Sequence, residues 1–429
     1  MNIRMPIFVL AGLISGMKVA SADALHMRVP EPRDGVRVMP IPEGIDRADD
    51  FTLTANGIPV PLAKMPEPEA HPHANTNRYA VARFEADGAI ALKATWQGGE
   101  TNFTVRAPFY GSIEPFGRWK PLVVLVDSIE KNAPRPDASG VRWIGPGRHR
   151  LGEIKLGNDE TLYLAPGAWA EGCIRASGTN ITVRGRGTLS GAPWKHYAGP
   201  SDQPNSLFMA SNCKELKIEG VMFWASFGWT THLVEIEDTL IDGLKIVNGR
   251  TGNDDGIDMC VARRTEIRNS FILCGDDCLA PKFICQDLVV TNCTLWCDLA
   301  NVIRLGYECM PGKDSFKNLL FKDIDVLHST PRHQSPEKYW TEALIEFNAA
   351  NDAVFSDITF DDIRVHDSTH LDTNGIFLKT YRIKTGAFDW TPKGFKDNGT
   401  EGVIDEKSLT IRNVRCLDGT PINIWRNYQ

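Results

Sequence analysis

From about Trp119 onward the chain repeats one pattern: two apolar positions flank a polar one, a Gly, Asn or Asp follows, and a second short apolar run closes the unit. It reads ITVRGRGTL at 181–189, LKIEGVMF at 216–223, TLIDGLKIV at 239–247, TEIRNSFIL at 265–273 and LVVTNCTLW at 288–296. Three later units follow: LLFKDIDVL at 319–327, ITFDDIRVH at 358–366 and LTIRNVRCL at 409–417. Alternation with a period of two predicts short strands. The pivots Gly185, Gly220, Gly243, Asn269, Asn292, Asp323, Asp362 and Asn413 suit tight, left-handed bends between them. The pivot spacing is 23 residues from Gly220 to Gly243 and again from Asn269 to Asn292, with insertions elsewhere. That period predicts a parallel β-helix, whose coils bury little singly but stack into one apolar column. A leucine-rich repeat fits less well, because Leu spacing is irregular and no helical pattern follows each strand.

Residues 25–118 alternate differently. FTLTANGIPVPL, RYAVARFEA, AIALKATW and TNFTVRAPF are separated by Asn56-Gly57, Asp87-Gly88 and Gly98-Gly99 turn signals, and the Pro-rich MPEPEAHPH at 65–73 is a loop. This predicts a small antiparallel β-sandwich packed on a larger domain spanning 119–429. No aromatic platform for carbohydrate stands out in the sandwich. Ahead of it, Arg4, an apolar segment from Met5 to Met17 and small residues around Ala22 read as an export signal over 1–22. The apolar run is too short for a membrane span, which takes ~20 residues. A secreted or periplasmic protein, without membrane association after signal removal and acting as a single copy, is expected.

A net charge of −7 argues against a nucleic-acid binder. Of ten cysteines, seven crowd between Cys260 and Cys309, and none pairs with His at zinc-ligand spacing. No metal or other cofactor is expected. Five aspartates do gather in two groups: Asp254, Asp255 and Asp258, then Asp276 and Asp277. Asp255 and Asp276 lie about one coil apart, and neighbouring rungs are ~4.8 Å apart, so Asp255, Asp276 and Asp277 are expected to converge on one outward face. Crowded carboxylates cannot all ionise cheaply, so at least one pKa rises. A proton donor then stands beside proton acceptors, the pairing that glycosidic cleavage requires. A solvated acidic ladder or a Ca²⁺ site is the alternative reading of these residues alone.

The sequences NDDGID at 253–258 and GDDC at 275–278, with WTTH at 229–232 upstream, resemble the polygalacturonase family, glycoside hydrolase family 28. The resemblance is good over roughly 140–330. It implies a right-handed β-helix, with Asp276 as general acid, Asp255 and Asp277 activating water, and inversion at the anomeric carbon. It also implies a Cys278–Cys297 disulfide, and Asn253, Trp229 and His232 as substrate contacts. Lys282 follows the acidic pair as it does in many relatives, and Arg304, Tyr307 and Glu308 on the next coil are candidates to line the same cleft, a structural role on the β-helix face being the alternative for each. Two departures matter. Asn301 stands where the family has His, with Arg304 in place of a small residue, and the family's R-I-K is missing near Leu344-Ile345-Glu346. A sandwich ahead of the β-helix resembles instead the related family 49 dextranases, which cut neutral α-glucan. The substrate expected is therefore a neutral polysaccharide or oligosaccharide. Polygalacturonase activity is one alternative. A Ca²⁺-dependent lyase with Arg304 as base is another, and a non-catalytic glycan-binding β-helix a third. Tyr339 and Trp340, in the insertion PRHQSPEKYWTE, are candidates to stack on a sugar ring.

Overall fold

The computed structural model describes residues 29–69, 79–201, 206–329, 343–368, 376–382 and 399–427. The export segment, Tyr339 and Trp340 lie outside them. Among the described residues no helix is long and apolar enough to cross a membrane.

The protein is all-β, a right-handed parallel β-helix preceded by a small β-sandwich. Twenty-three strands, from Val141–Ile144 to Asn423–Asn427, form one continuous parallel assembly. Register shows why the repeat pattern specifies it. Ile218 stacks on Ile241, Ile241 on Ile267, Ile267 on Val290, Val290 on Phe321 and Phe321 on Phe360. The apolar position of each unit thus lands on that of the next, building the buried column. All eight pivots adopt positive φ, from 51° at Asn269 to 123° at Gly185. Asn side chains tolerate this region and also bond along the stack: Asn292 Nδ2 donates to Asn269 Oδ1 at 2.7 Å, and Asn269 Nδ2 to Asp242 Oδ1 at 2.8 Å.

The sandwich pairs a four-stranded antiparallel sheet with a five-stranded one. One strand departs from the antiparallel expectation. Leu122–Ser128 lies beyond the expected boundary at 118, yet it pairs in parallel with Ala80–Ala86 at the centre of the second sheet. Its sequence LVVLV is apolar at every position because both faces are covered. Leu122, Val124 and Val126 face the sandwich core, whereas Val123 and Leu125 pack with Trp169, Trp224 and Trp296 of the β-helix. Polar groups cross the same contact. Asp127, at the end of this strand, meets Lys245 Nζ at 2.6 Å and Arg83 at 3.4 Å, and both cations also donate to Gly220 O. Buried charges tolerate such a place only when paired and hydrogen-bonded.

Candidate active site

NDDGID runs from the turn before Ile257–Arg268 into the start of that strand, and the turn before Leu279–Cys297, one rung on, carries GDDC. Gly256 N donates to Asp277 O at 2.8 Å, and Thr230 N to Asp255 O at 2.9 Å, so the three turns stack. Gly256 is required by this approach: a Cβ there would lie 2.4 Å from Cys278 O. The stacking brings carboxylate oxygens of Asp255, Asp276 and Asp277 within 4.8 Å of one another. Such oxygens also suit a hard cation, but each flank already faces a protein cation.

Those cations are Lys282 and Arg304. Lys282 is 4% exposed and places Nζ 2.8 Å from Asp258, 3.9 Å from Asp255 and 4.0 Å from the Trp229 ring centroid. Arg304 Nη1 lies 3.3 Å from Asp277, and its Nε donates to Asn348 at 3.1 Å. Burial lowers the pKa of both, yet surrounding carboxylates raise it further: Asp258, Glu308 and Asp255 for Lys282, Asp277, Glu346 and Glu308 for Arg304. Both therefore stay charged.

The carboxylates respond oppositely. Burial, then neighbouring charge, pushes Asp276 up to about 6 and Asp255 well above the usual range. Burial also lifts Asp258 to about 7 despite Lys282. After burial, the next cause differs between the two: the charge of Asp258 acts on Asp255, and that of Asp277 on Asp276. The groups titrate as a set, however, and the proton belongs to the cluster rather than to one oxygen. Geometry separates them better. Asp276 alone of the trio is partly open to the cleft, and among the described residues no Lys or Arg is within ion-pair distance of it. Asp255 and Asp277 are buried against Lys282 and Arg304.

The other expected residues take four different places. Trp229, Lys282, Arg304, Tyr307 and Glu308 surround the trio. Arg304 lies 5.2 Å from the Tyr307 ring, and buried Glu308 has its pKa raised by burial, with Lys282 opposing. His232 packs 4.8 Å from Trp229, and burial, then Lys282, pushes its pKa down to about 3, so it remains a neutral imidazole. Asn301 is fully buried; its main-chain N–H donates to Asp277 at 3.0 Å and its side chain to Ala343 O at 2.8 Å. It holds the carboxylate from behind and has no surface to offer a ligand. Asn253 takes a left-handed φ of 49° in the turn leading to Asp255.

The expected Cys278–Cys297 bridge is not formed: all ten cysteines are buried thiols. Cys278 Sγ instead lies 3.4 Å from Cys274 Sγ and donates to Trp296 O, while Cys297 Sγ donates to Asp276 O at 3.2 Å. Three thiols fill the floor beneath the acidic pair, and Cys297 is turned toward the Asp276 carbonyl.

Asp254 has a place its sequence neighbours hid. Its side chain, 1% exposed, accepts from Gly249 N at 2.7 Å, Gly275 N at 2.9 Å and Asp276 N at 3.3 Å. Burial pushes it up to about 7. It ties the first acidic turn to the second. A doubled Asp was visible in the sequence, but which one turned inward was not.

This concentration of raised carboxyls sets a pH dependence. An acid whose folded pKa exceeds its unfolded value takes up a proton on folding, so its stabilisation is greatest below the unfolded value, about 4, and is lost as pH rises through the folded value. Asp254, Asp258 and Asp276 all act this way between roughly pH 4 and 7, and His232 alone opposes them in the site by staying neutral. The urea midpoint is expected to fall from pH 5 to pH 7, and Asp258→Asn should flatten the slope. A midpoint that rises over this interval would overturn the assignment.

Comparison with known proteins agrees with the motif reading. Residues 167–330 match the family model for Glycosyl hydrolases family 28. The chain is 30% identical over 148 residues to a probable exopolygalacturonase B of Emericella nidulans, covering 31% of this chain and 33% of that protein. It is 25% identical over 230 residues to a probable exopolygalacturonase B of Aspergillus fumigatus, covering 48% and 50%. The chain thus spans between a third and a half of these curated relatives. In fold it is similar to Dex49A from Penicillium minioluteum, with a TM-score of 0.59 at 14% identity, over 93% of this chain and 91% of that one. The resemblance carried by NDDGID and GDDC therefore holds as a match to the family 28 glycosyl hydrolase model over residues 167–330, on a fold similar to that of Dex49A.

Proposed function

We propose that the protein is an inverting glycoside hydrolase acting on a neutral polysaccharide or oligosaccharide, α-glucan first, with residues 1–22 directing its export. The observation that carries this reading is the Asp255–Asp276–Asp277 trio. Asp276, open to the cleft and able to hold a proton, donates it to the glycosidic oxygen. Asp255 and Asp277, braced by Lys282 and Arg304, orient a water and accept its proton as it attacks the anomeric carbon. One chain supplies every group, so a single copy suffices. The carboxylates lie closer than the roughly 6.5–9.5 Å usual for inversion. Inversion rests instead on the family resemblance and on having two water-holding carboxylates rather than one nucleophile.

Neutrality of the substrate is supported by where the cations go. An acidic sugar needs an uncommitted cation in the cleft, but Lys282 faces Asp258 and Asp255, and Arg304 faces Asp277. The same pairing disfavours the lyase alternative, since a guanidinium held charged by carboxylates is a poor base.

Purified protein is expected to release reducing ends from dextran or another neutral α-glucan, and NMR of the first product should show the anomer opposite to that of the bond cut. Cleavage of polygalacturonate with all neutral glucans untouched would overturn the substrate class. A first product of retained configuration would overturn inversion.

A further inference from the structure

The loop that follows strand Thr188–Ser190 carries three aromatic side chains not used so far, Trp194, His196 and Tyr197. Tyr197 is 44% exposed, the His196 ring stacks on it at 4.0 Å with 24° between planes, and its backbone φ is +53°. A non-glycine residue held there costs about 1 kcal/mol or more, so surrounding contacts must impose it. They are present. Tyr197 N donates to Phe227 O at 2.7 Å, two residues before Trp229, and Trp194 packs edge-on against the Phe227 ring. The loop is thereby pinned beside the rung that leads to Trp229, whose ring faces Lys282. The charges of Asp255, Asp276 and Asp258, after burial, push the Tyr197 hydroxyl above its ordinary pKa. The phenol therefore stands within electrostatic reach of two members of the trio, Asp255 and Asp276.

The other half of the clamp comes from the sandwich. Glu69, in the Pro-rich segment, accepts from His196 N at 3.0 and 3.2 Å, and meets Arg250 Nη1 at 2.5 Å. Glu69 N donates in turn to Arg250 O at 2.9 Å, while Arg250 Nη2 donates to Trp194 O at 2.6 Å. Arg250 begins the turn that leads into Asn253, Asp254 and Asp255. One carboxylate from the sandwich thus joins the aromatic loop to the catalytic turn. Arg250 is 5% exposed, which leaves Glu69 as a partner it cannot lose cheaply.

We propose that Tyr197, backed by His196 and locked by Glu69, is the platform on which a sugar ring of the substrate stacks beside the trio. This rests on the glycoside hydrolase reading. An aromatic face offers apolar area and a polar edge at little entropic cost, which suits the C–H-rich face of a pyranose carrying no charge. The sandwich then has a role at the site: it holds one wall of the cleft in place through Glu69.

The test uses the full chain carrying Asp276→Asn, which binds the glycan but cleaves it about 10²–10⁴-fold more slowly. Calorimetry measures affinity for isomalto-oligosaccharides, malto-oligosaccharides and oligogalacturonides, and thermal unfolding is followed in parallel. Adding Tyr197→Ala is expected to weaken binding of the preferred oligosaccharide about tenfold or more without lowering the unfolding temperature. Tyr197→Trp and Tyr197→Phe should recover most of that loss, because the ring face carries the contact. Glu69→Ala should weaken binding in the same direction by releasing the loop. Unchanged affinity in Tyr197→Ala, while the wild type still cleaves the glycan, overturns the platform and leaves the hydrolase reading intact. A Tyr197→Phe variant as weak as Tyr197→Ala also overturns it, since a hydroxyl contact would then be responsible. If no glycan binds the Asp276→Asn protein and the wild type cleaves none, both readings fall together.

Discussion

Asp276→Asn is expected to lower kcat on the natural glycan by about 10²–10⁴-fold, the usual contribution of a general acid. The amide keeps the shape of the carboxyl but has no transferable proton. Asp276 is suited to the role by three features: it is the partly exposed member of the trio, Asp277 beside it disfavours its charged form, and burial with that repulsion lifts it to about 6. Activity of the wild type should therefore decline as pH rises through and above that value, where the proton is lost. The variant should lack this limb, although the apparent pKa describes the coupled cluster. A substrate with a good leaving group needs no protonation and should partly rescue Asp276→Asn, but neither Asp255→Asn nor Asp277→Asn. Folding should not suffer, because one source of repulsion among three close carboxylates is removed. Near-full activity of Asp276→Asn on the glycan would remove Asp276 from the mechanism.

The second large effect is expected at Lys282. Its ammonium is almost fully buried and faces Asp258 at 2.8 Å and Asp255 at 3.9 Å. Lys282→Met retains the apolar stem beneath Trp229 but leaves those carboxylates without their cation. Breaking a buried pair by removing one partner costs about 3–5 kcal/mol, and a loss of that order is expected in urea unfolding near pH 8. The sign with pH follows from the acids left behind. Asp258 already has a folded value of about 7, above the unfolded one, and without Lys282 it moves higher. Its protonated form folds at little cost, so the destabilisation should shrink toward pH 4 and grow as pH rises. Turnover should fall as well, because Asp255 is no longer held ready to accept a proton from water. A urea midpoint unchanged at pH 8 would show that the pair contributes nothing net.

Much of this molecule is legible without coordinates because a β-helix is assembled from local, repeated signals. Apolar alternation specified the short strands. Gly185, Gly220, Gly243, Asn269 and the other pivots marked the left-handed bends, since few other residues reach positive φ cheaply. A period near 23 then fixed which residues stack, and the convergence of Asp255, Asp276 and Asp277 follows from spacing alone once coils are stacked. Decisions that depend on groups far apart in the chain were not legible. That Lys282 and Arg304 are spent on internal carboxylates depends on how side chains from successive rungs meet. The inward turn of Asp254 and the full burial of Asn301 depend on backbone N–H groups that only the finished turns present. Leu122–Ser128 became a central parallel strand because the β-helix covers its outer face, a partner its own sequence does not name. The contact of Glu69 with His196 and Arg250 joins residues more than a hundred positions apart. Periodic short-range pattern determined the scaffold and the location of the acids. Long-range packing, which sets burial and thereby charge state, decided which acid faces the cleft and what stands beside it.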